Sequence, residues 1–313
     1  MSQDTQVELT IATTARNEFG NLPEFFRQCS TAVALLGVRT ELIFIDDGSV
    51  DDTAKEVLKA QEHYPELNIH LIQNKMSRGI THAILTIAEL AVGEWICLIP
   101  ADLESFPKDD IPALFEARQT DIDVLAGWRQ GREDGKSFSS KIYNRINRRW
   151  FGVYLHDANW IKLVRREALR DLPLKKNWHR FLTAFFVKQG RSIVEVPVQW
   201  HARSYGQSKF TPWRLPGALF DLINVKIFLD FGQRPLAPFV VLTLISLMLA
   251  ITNAVFALIF LDAQSGQLGL GIMLSAALII FGLSAMGIGM VVDKRYLRRR
   301  HRRNESANIR GES

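Results

Sequence analysis

The chain has 313 residues and a net charge of +5, with only two cysteines. That length suits one catalytic domain of ordinary size plus an appendage. Cys29 and Cys97 stand far apart in apolar runs, which excludes a disulfide framework and a cysteine metal site and suits a reducing compartment. Met1 to Val7 is polar, so no cleavable signal peptide is expected there.

In chain order, short apolar runs predict strands at Leu9 to Ala15, Glu41 to Ile45, Ile69 to Gln73, Trp95 to Pro100 and Val124 to Gly127. Between them, helical spacing of apolar residues predicts helices over Leu22 to Leu36, Thr53 to Glu62, Arg78 to Ala91 and Asp110 to Arg118. This alternation specifies an α/β fold with a mostly parallel sheet covered on both faces. Such sheets bind ligands outside the carboxyl ends of their strands, so residues just after each strand are the ones to inspect.

The pattern then changes. From Thr211 to Gly232 many apolar residues are punctuated by Arg214, Asp221, Lys226 and Asp230. That suits one or two interfacial helices lying on a bilayer, a domain-packing helix being the other reading. Leu236 to Leu261 and Leu268 to Val292 contain no charged residue. At about 1.5 Å rise per residue, each can cross a hydrocarbon core of about 30 Å. Buried core helices of that length would show a polar face, whereas these carry only Thr243, Ser246, Thr252, Asn253, Ser275 and Ser284. The loop between them lacks Lys and Arg while both outer flanks carry them, so the positive-inside tendency places the loop outside and both ends in the cytosol.

Lys294, Arg295, Arg298, Arg299, Arg300, Arg302 and Arg303 follow the second run; that position points to anionic headgroups rather than nucleic acid. The expected organisation is a cytosolic catalytic domain over 1–210, interfacial helices over 211–233, two membrane helices over 234–293 and a disordered basic tail over 294–313. A multi-pass inner-membrane protein follows. Gly282, Ala285 and Gly289 form a small-residue stripe that would suit a homo-oligomer. A transporter is disfavoured by the scarcity of ionisable residues within the spans.

The chemistry-bearing residues lie where the sheet predicts. The first strand leads into Thr14-Ala15-Arg16-Asn17-Glu18, and the second into Asp46-Asp47-Gly48-Ser49, followed by Asp51 and Asp52. Two acids at a strand end suit a base or ribose, and Asp51 or Asp52 can cap the next helix; a turn plus a cap accounts for the same residues equally well. The fourth strand leads into Pro100-Ala101-Asp102-Leu103-Glu104. Acids two residues apart are placed to hold a hard divalent cation that bridges a diphosphate.

These motifs, in this order, resemble the dolichyl-phosphate mannose synthase and polyprenyl-phosphate glycosyltransferase group. That group has an Asn-Glu after its first strand, Asp-Asp-Gly-Ser-x-Asp-x-Thr, Asp-Ala-Asp-Leu-Gln, Gly-x-Arg and Arg-x-x-Gly-x-Ser-Lys. Here Asn17-Glu18, Asp46 to Thr53, Asp102-Leu103-Glu104, Gly127-Trp128-Arg129 and Arg203 to Lys209 correspond, and the resemblance runs from about residue 8 to 292. It implies a Rossmann-like sheet of the single-domain nucleotide-sugar glycosyltransferase type with a C-terminal transmembrane hairpin. It also implies an inverting, metal-dependent transfer from a nucleotide-diphosphate sugar to a polyprenyl (undecaprenyl or dolichyl) phosphate.

By resemblance, Thr14, Ala15, Glu18, Asp46, Asp47, Ala101 and Asp102 contact the nucleotide sugar. Asp102 and Glu104 hold Mg²⁺ or Mn²⁺. Arg129, Lys141, Arg203 and Lys209 meet the phosphates, and Asp157 with Asp102 serves catalysis, Asp157 as acceptor-orienting group or base. Gly206-Gln207-Ser208 would be a loop closing over the donor. For His179 structural packing is the expected role. Two departures stand out. Thr14 replaces a usual Pro, and Pro100 replaces the first acid of the metal motif, while Glu104 replaces a Gln and restores the local charge. Another membrane-lipid acceptor, or a non-catalytic nucleotide-sugar-binding scaffold, are the alternatives.

Overall fold

Strands covered on both faces are mostly apolar, and β1 (Leu9–Ala15) and β2 (Thr40–Asp46) are buried along nearly their whole length, with the buried Glu41 accepting Thr10 Oγ1 at 2.6 Å. The computed structural model describes residues 7–131, 145–157, 159–201, 215–232, 234–262 and 266–311. It divides into two compact units, Met1–Asp221 and Leu222–Ser313.

The first unit is a seven-stranded sheet in the order β3-β2-β1-β4-β6-β5-β7, with β3 at Ile69–Gln73, β4 at Trp95–Leu98, β5 at Val124–Gln130, β6 at Lys162–Arg165 and β7 at Ile193–Gln199. All neighbours run parallel except β6, which lies antiparallel between β4 and β5. The helices are α1 (Leu22–Leu36), α2 (Thr53–His63), α3 (Ile80–Leu90), α4 (Pro107–Glu116), α5 (Arg166–Arg170) and α6 (Leu182–Lys188). Leu22, Phe25, Phe26 and Cys29 on α1 pack with Leu9, Ile11, Leu42 and Phe44 of the sheet in one apolar core. Helix α1 ends where Gly37 turns left-handed and returns its N–H to Val33 O.

Local departures from the sequence expectation have local causes. Helix α3 starts at Ile80 rather than Arg78 because Gly79 stands at φ +85°, outside the helical region, where its amide and that of Arg78 turn onto the Asp47 carboxylate. Helix α4 starts earlier, at Pro107, a residue suited to the first helical turn where its missing N–H has no partner to lose. Strand β6 is only four residues long and β7 alternates exposed and buried positions. Neither carries the continuous apolar run that reveals the central strands.

The second unit holds α8 (Ala237–Phe260) and α9 (Gln267–Gly311), while α7 (Leu215–Phe231) crosses the boundary between the units. Both α8 and the 267–295 part of α9 are long and apolar enough to cross a membrane, and only 17% and 22% of their apolar windows are buried. That exposure separates them from core helices. Several of their few polar side chains bridge the pair. Thr243 donates to Gly282 O at 2.9 Å, Ser246 to Leu278 O at 2.5 Å, and Asn253 Nδ2 to Gly271 O and Ser275 Oγ, both at 2.8 Å.

The small-residue stripe also lies inside the hairpin: a Cβ on Gly289 would fall 2.6 Å from Phe239 Cβ, and Ala285 is buried. Between apolar helices in lipid, close approach and such hydrogen bonds are the forces available. Beyond residue 294 the backbone stays helical to Gly311, against the expected disorder, because no Gly or Pro interrupts the intervening Arg, Asn and Ala residues.

Candidate active site

The loops after β1 and β2 interlock. Asn17, at φ +59°, takes Ser49 Oγ with its N–H at 3.0 Å and receives the Val50 N–H on Oδ1 at 2.9 Å. Glu18 donates its N–H to Thr53 Oγ1 and accepts Asn21 Nδ2 at 2.7 Å. Asp46 accepts the Ser49 N–H at 2.9 Å, and Asp51, not Asp52, accepts the Thr53 N–H at the start of α2. Ala15 O receives the Asp47 N–H.

The Asp47 side chain is almost fully engaged. It accepts Asn74 Nδ2 at 3.0 Å, Ser77 Oγ at 2.6 Å, Arg78 N at 2.7 Å and Gly79 N at 3.0 Å. Burial pushes this carboxyl up, but the hydroxyl, amide and backbone donors together hold it below the ordinary carboxylate value. Asp47 is thus the clasp that shapes the 74–79 loop at the sheet edge. Gly48 is required beside it: its φ is +74°, and a Cβ would come 2.8 Å from the Met76 carbonyl carbon.

After β4 the chain makes a tight turn through Leu103, a buried non-glycine residue at φ +58°. Bulky residues rarely adopt this conformation. The turn carries Asp102 and Glu104 together, with the Glu104 N–H donating to Asp102 Oδ1 at 3.2 Å, and Ala101 is buried beneath it. His201 fastens the turn from the end of β7, giving its N–H to Glu104 O at 3.0 Å while its ring stacks on Phe106 at 3.5 Å.

Arg129, near the end of β5, joins this turn to the loop before β6. Its Nε and Nη2 donate to both oxygens of Asp157 at 2.7 and 3.2 Å, and its Nη1 lies 3.6 Å from Glu104 Oε2. The fork geometry is the strong form of an arginine–carboxylate pair. Asn159 Nδ2 supports Asp157 at 3.1 Å and holds Gly127 O at 2.5 Å. Glu195 of β7 receives the N–H groups of His156 and Asp157 and the His156 ring, which stacks on Trp128 at 4.3 Å. Lys162 lies behind them, buried, donating to Asn159 O; burial brings its amine down to about 8.

Asp102, Glu104, Arg129 and Asp157 therefore share one edge of the sheet. Lys141, Arg203, Lys209 and the 206–208 loop lie outside the described residues. Sequence reasoning did not find Glu195, Asn159 or Lys162. The detectable signals were a lone acid inside the β7 strand and a lone lysine opening the apolar β6 run.

A mostly parallel sheet with acids and an arginine at its carboxyl edge defines an α/β class whose ligands bind at that edge. The model of the glycosyl transferase family 2 matches residues 10–173, and the chain belongs to this family of glycosyltransferases. It is 29% identical over 237 residues to dodecaprenyl-phosphate galacturonate synthase of Rhizobium johnstonii, covering 73% of this chain and 69% of that one. It is 32% identical over 213 residues to undecaprenyl-phosphate 4-deoxy-4-formamido-L-arabinose transferase of Klebsiella pneumoniae, covering 66% of this chain and 64% of that one.

Among solved structures, glucosyl-3-phosphoglycerate synthase from Mycobacterium tuberculosis, crystallised with Mn²⁺, UDP-glucose and phosphoglyceric acid, shares the fold. The TM-score is 0.53 at 17% identity, over 72% of this chain and 80% of that one.

Proposed function

We propose that the chain moves a sugar from a nucleotide-diphosphate sugar to a polyprenyl phosphate, with inversion at the anomeric carbon, at the cytoplasmic face of a membrane that its two apolar helices cross. The observation that carries this reading is the Glu104–Arg129–Asp157 constellation at the carboxyl edge of the sheet. Relatives named for dodecaprenyl and undecaprenyl phosphate support the acceptor, and the exposed apolar hairpin supports the anchoring.

An acceptor phosphate monoester has a second pKa near about 6, so much of it is already an oxyanion at neutral pH and needs alignment more than deprotonation. The Nε–Nη2 edge of Arg129 is taken by Asp157, so its planar guanidinium would meet such oxygens with the Nη1 side that faces Glu104. Asp157 fixes the planar guanidinium through that edge, which makes orientation of Arg129 its part in the reaction. Asp46, the 14–18 loop and the 74–79 loop shaped by Asp47 form the wall proposed to receive the nucleotide.

The donor set also fits a divalent cation that substrate completes. Among the described residues no group of three acid, His or Cys side chains gathers, while Asp102 and Glu104 sit on one turn. Mg²⁺ is commonly held by one or two carboxylates plus substrate phosphates. Asp102 and Glu104 would hold Mg²⁺ or Mn²⁺ in that manner, and the cation would neutralise charge on the departing diphosphate.

The test uses the full chain in lipid nanodiscs, incubated with a panel of nucleotide sugars and undecaprenyl phosphate. Expected are released nucleoside diphosphate and a glycosylated lipid, both lost when the divalent cation is chelated. Nucleotide binding without turnover on any donor would overturn the reading in favour of a scaffold.

A further inference from the structure

Beside the Arg129–Asp157 pair, and sharing Asn159 with it, lies a cavity of about 300 Å³ whose lining includes Asn159, Trp160, Lys162, His179, Arg180 and Thr183. Its volume is at the small end for ligand pockets, enough for one sugar ring. Its chemistry is lopsided toward donors. Lys162 and Arg180 can only donate hydrogen bonds. The Asn159 side-chain oxygen is taken by the Ile161 N–H at 2.9 Å, and its backbone carbonyl by Lys162. His179 meets Thr81 Oγ1 through Nδ1 at 2.9 Å; burial and then Arg180 bring its pKa down to about 4, leaving the ring neutral.

No acidic side chain lines the cavity among the described residues. The nearest carboxylates hydrogen-bond elsewhere, Asp157 to Arg129 and Glu195 to the 156–157 loop; they favour the Lys162 charge only through space, and Arg129 opposes it.

A neutral sugar offers hydroxyls that need acceptors as well as donors, and this cavity is poor in acceptors. An anionic ligand is the reverse: it accepts only, and it compensates a cation held out of water. Lys162 is such a cation, 3% exposed, with three donors of which Asn159 O takes one. The indole of Trp160 adds a flat apolar wall of the kind that meets a pyranose face.

We propose that this cavity receives the carboxylate of an acidic donor sugar, so that the chain transfers a uronic-acid residue. The inference rests on the glycosyl-transfer reading above and sharpens it.

The experiment compares donors differing only at C6: UDP-galacturonate against UDP-galactose and GDP-mannuronate against GDP-mannose. Nucleoside-diphosphate release to undecaprenyl phosphate is measured with the full chain in nanodiscs. A uronate preference of at least tenfold in kcat/KM is expected for one pair. Arg180→Gln, at an exposed position, should reduce that ratio at least tenfold, as should Lys162→Met. Both variants are checked for retained binding of the free nucleoside diphosphate. Equal or better turnover of the neutral sugars overturns the acidic-sugar inference and leaves the transferase reading standing. A rise in KM for the lipid phosphate in Arg180→Gln, with the donor ratio unchanged, overturns it too and makes the cavity a phosphate site. Nucleotide binding with no turnover of any donor overturns the transferase reading itself.

Discussion

Lys162 offers the sharpest physical prediction. Its amine is brought from an ordinary 10.5 to about 8, chiefly by burial, with Asp157 and Glu195 favouring the charge and Arg129 opposing it. That gap corresponds to about 3 kcal/mol of unfavourable charge burial at neutral pH. Below about 8 the folded and unfolded chains both hold the proton, and the whole penalty is present. Between about 8 and 10.5 the unfolded chain keeps a proton that the folded chain has released, so stability rises with pH.

Lys162→Met keeps most of the volume and removes the titration. Denaturant melts of wild type and variant in detergent, followed by tryptophan fluorescence between pH 7 and 10.5, isolate the effect, because every other titration cancels in the difference. The wild type should gain about 3 kcal/mol on the variant across that window. Parallel stability curves would show that the amine is hydrated or compensated, and would refute the account of its burial.

Other expectations follow from single contacts. Asp47→Asn turns one acceptor into a donor facing Ser77 and the Gly79 amide, for a local loss of about 2–4 kcal/mol; amide exchange over residues 77–80 should quicken, and unchanged protection would contradict the clasp. Gly48→Ala drives a Cβ into the Met76 backbone at positive φ and should destabilise by about 2 kcal/mol or more, read as a lower Tm and weaker nucleotide binding. Arg129→Lys retains charge but not the fork, so kcat/KM should fall on the order of 100-fold; activity within a few-fold of wild type would remove Arg129 from the proposed acceptor site. Asn253→Leu breaks two contacts between the apolar helices α8 and α9 and should weaken the hairpin by only about 1 kcal/mol in a detergent-unfolding titration.

What sequence could reveal here depended on how locally each feature is encoded. The run Leu9 to Ala15 carries no charge and is almost wholly buried because helices cover both its faces, and its strand appeared at the expected residues. Helix α1 declared itself by apolar spacing, and the two long C-terminal helices by apolar runs without charge. The acids after β2 and β4 were recognisable because a parallel sheet puts strand ends at one edge. Yet Asp47 could be read equally as ligand-facing or as a turn residue. Only the fold showed its carboxylate closing the 74–79 loop from more than 25 positions away.

The pairing of Arg129 with Asp157 and Glu104, the clamp of Glu195 on the 156–157 loop, and the burial of Lys162 were settled by tertiary structure alone. These contacts join β4, β5, β7 and the loop before β6, and no spacing rule within one segment encodes a neighbour on another strand. The same holds for Gly282 and Gly289, whose small size suits any close helix contact; packing against Ser246 and Phe239 decided which. Chain-local physics determined the elements and the sheet edge where chemistry belongs, and burial together with cross-strand charge pairing decided which side chains meet there.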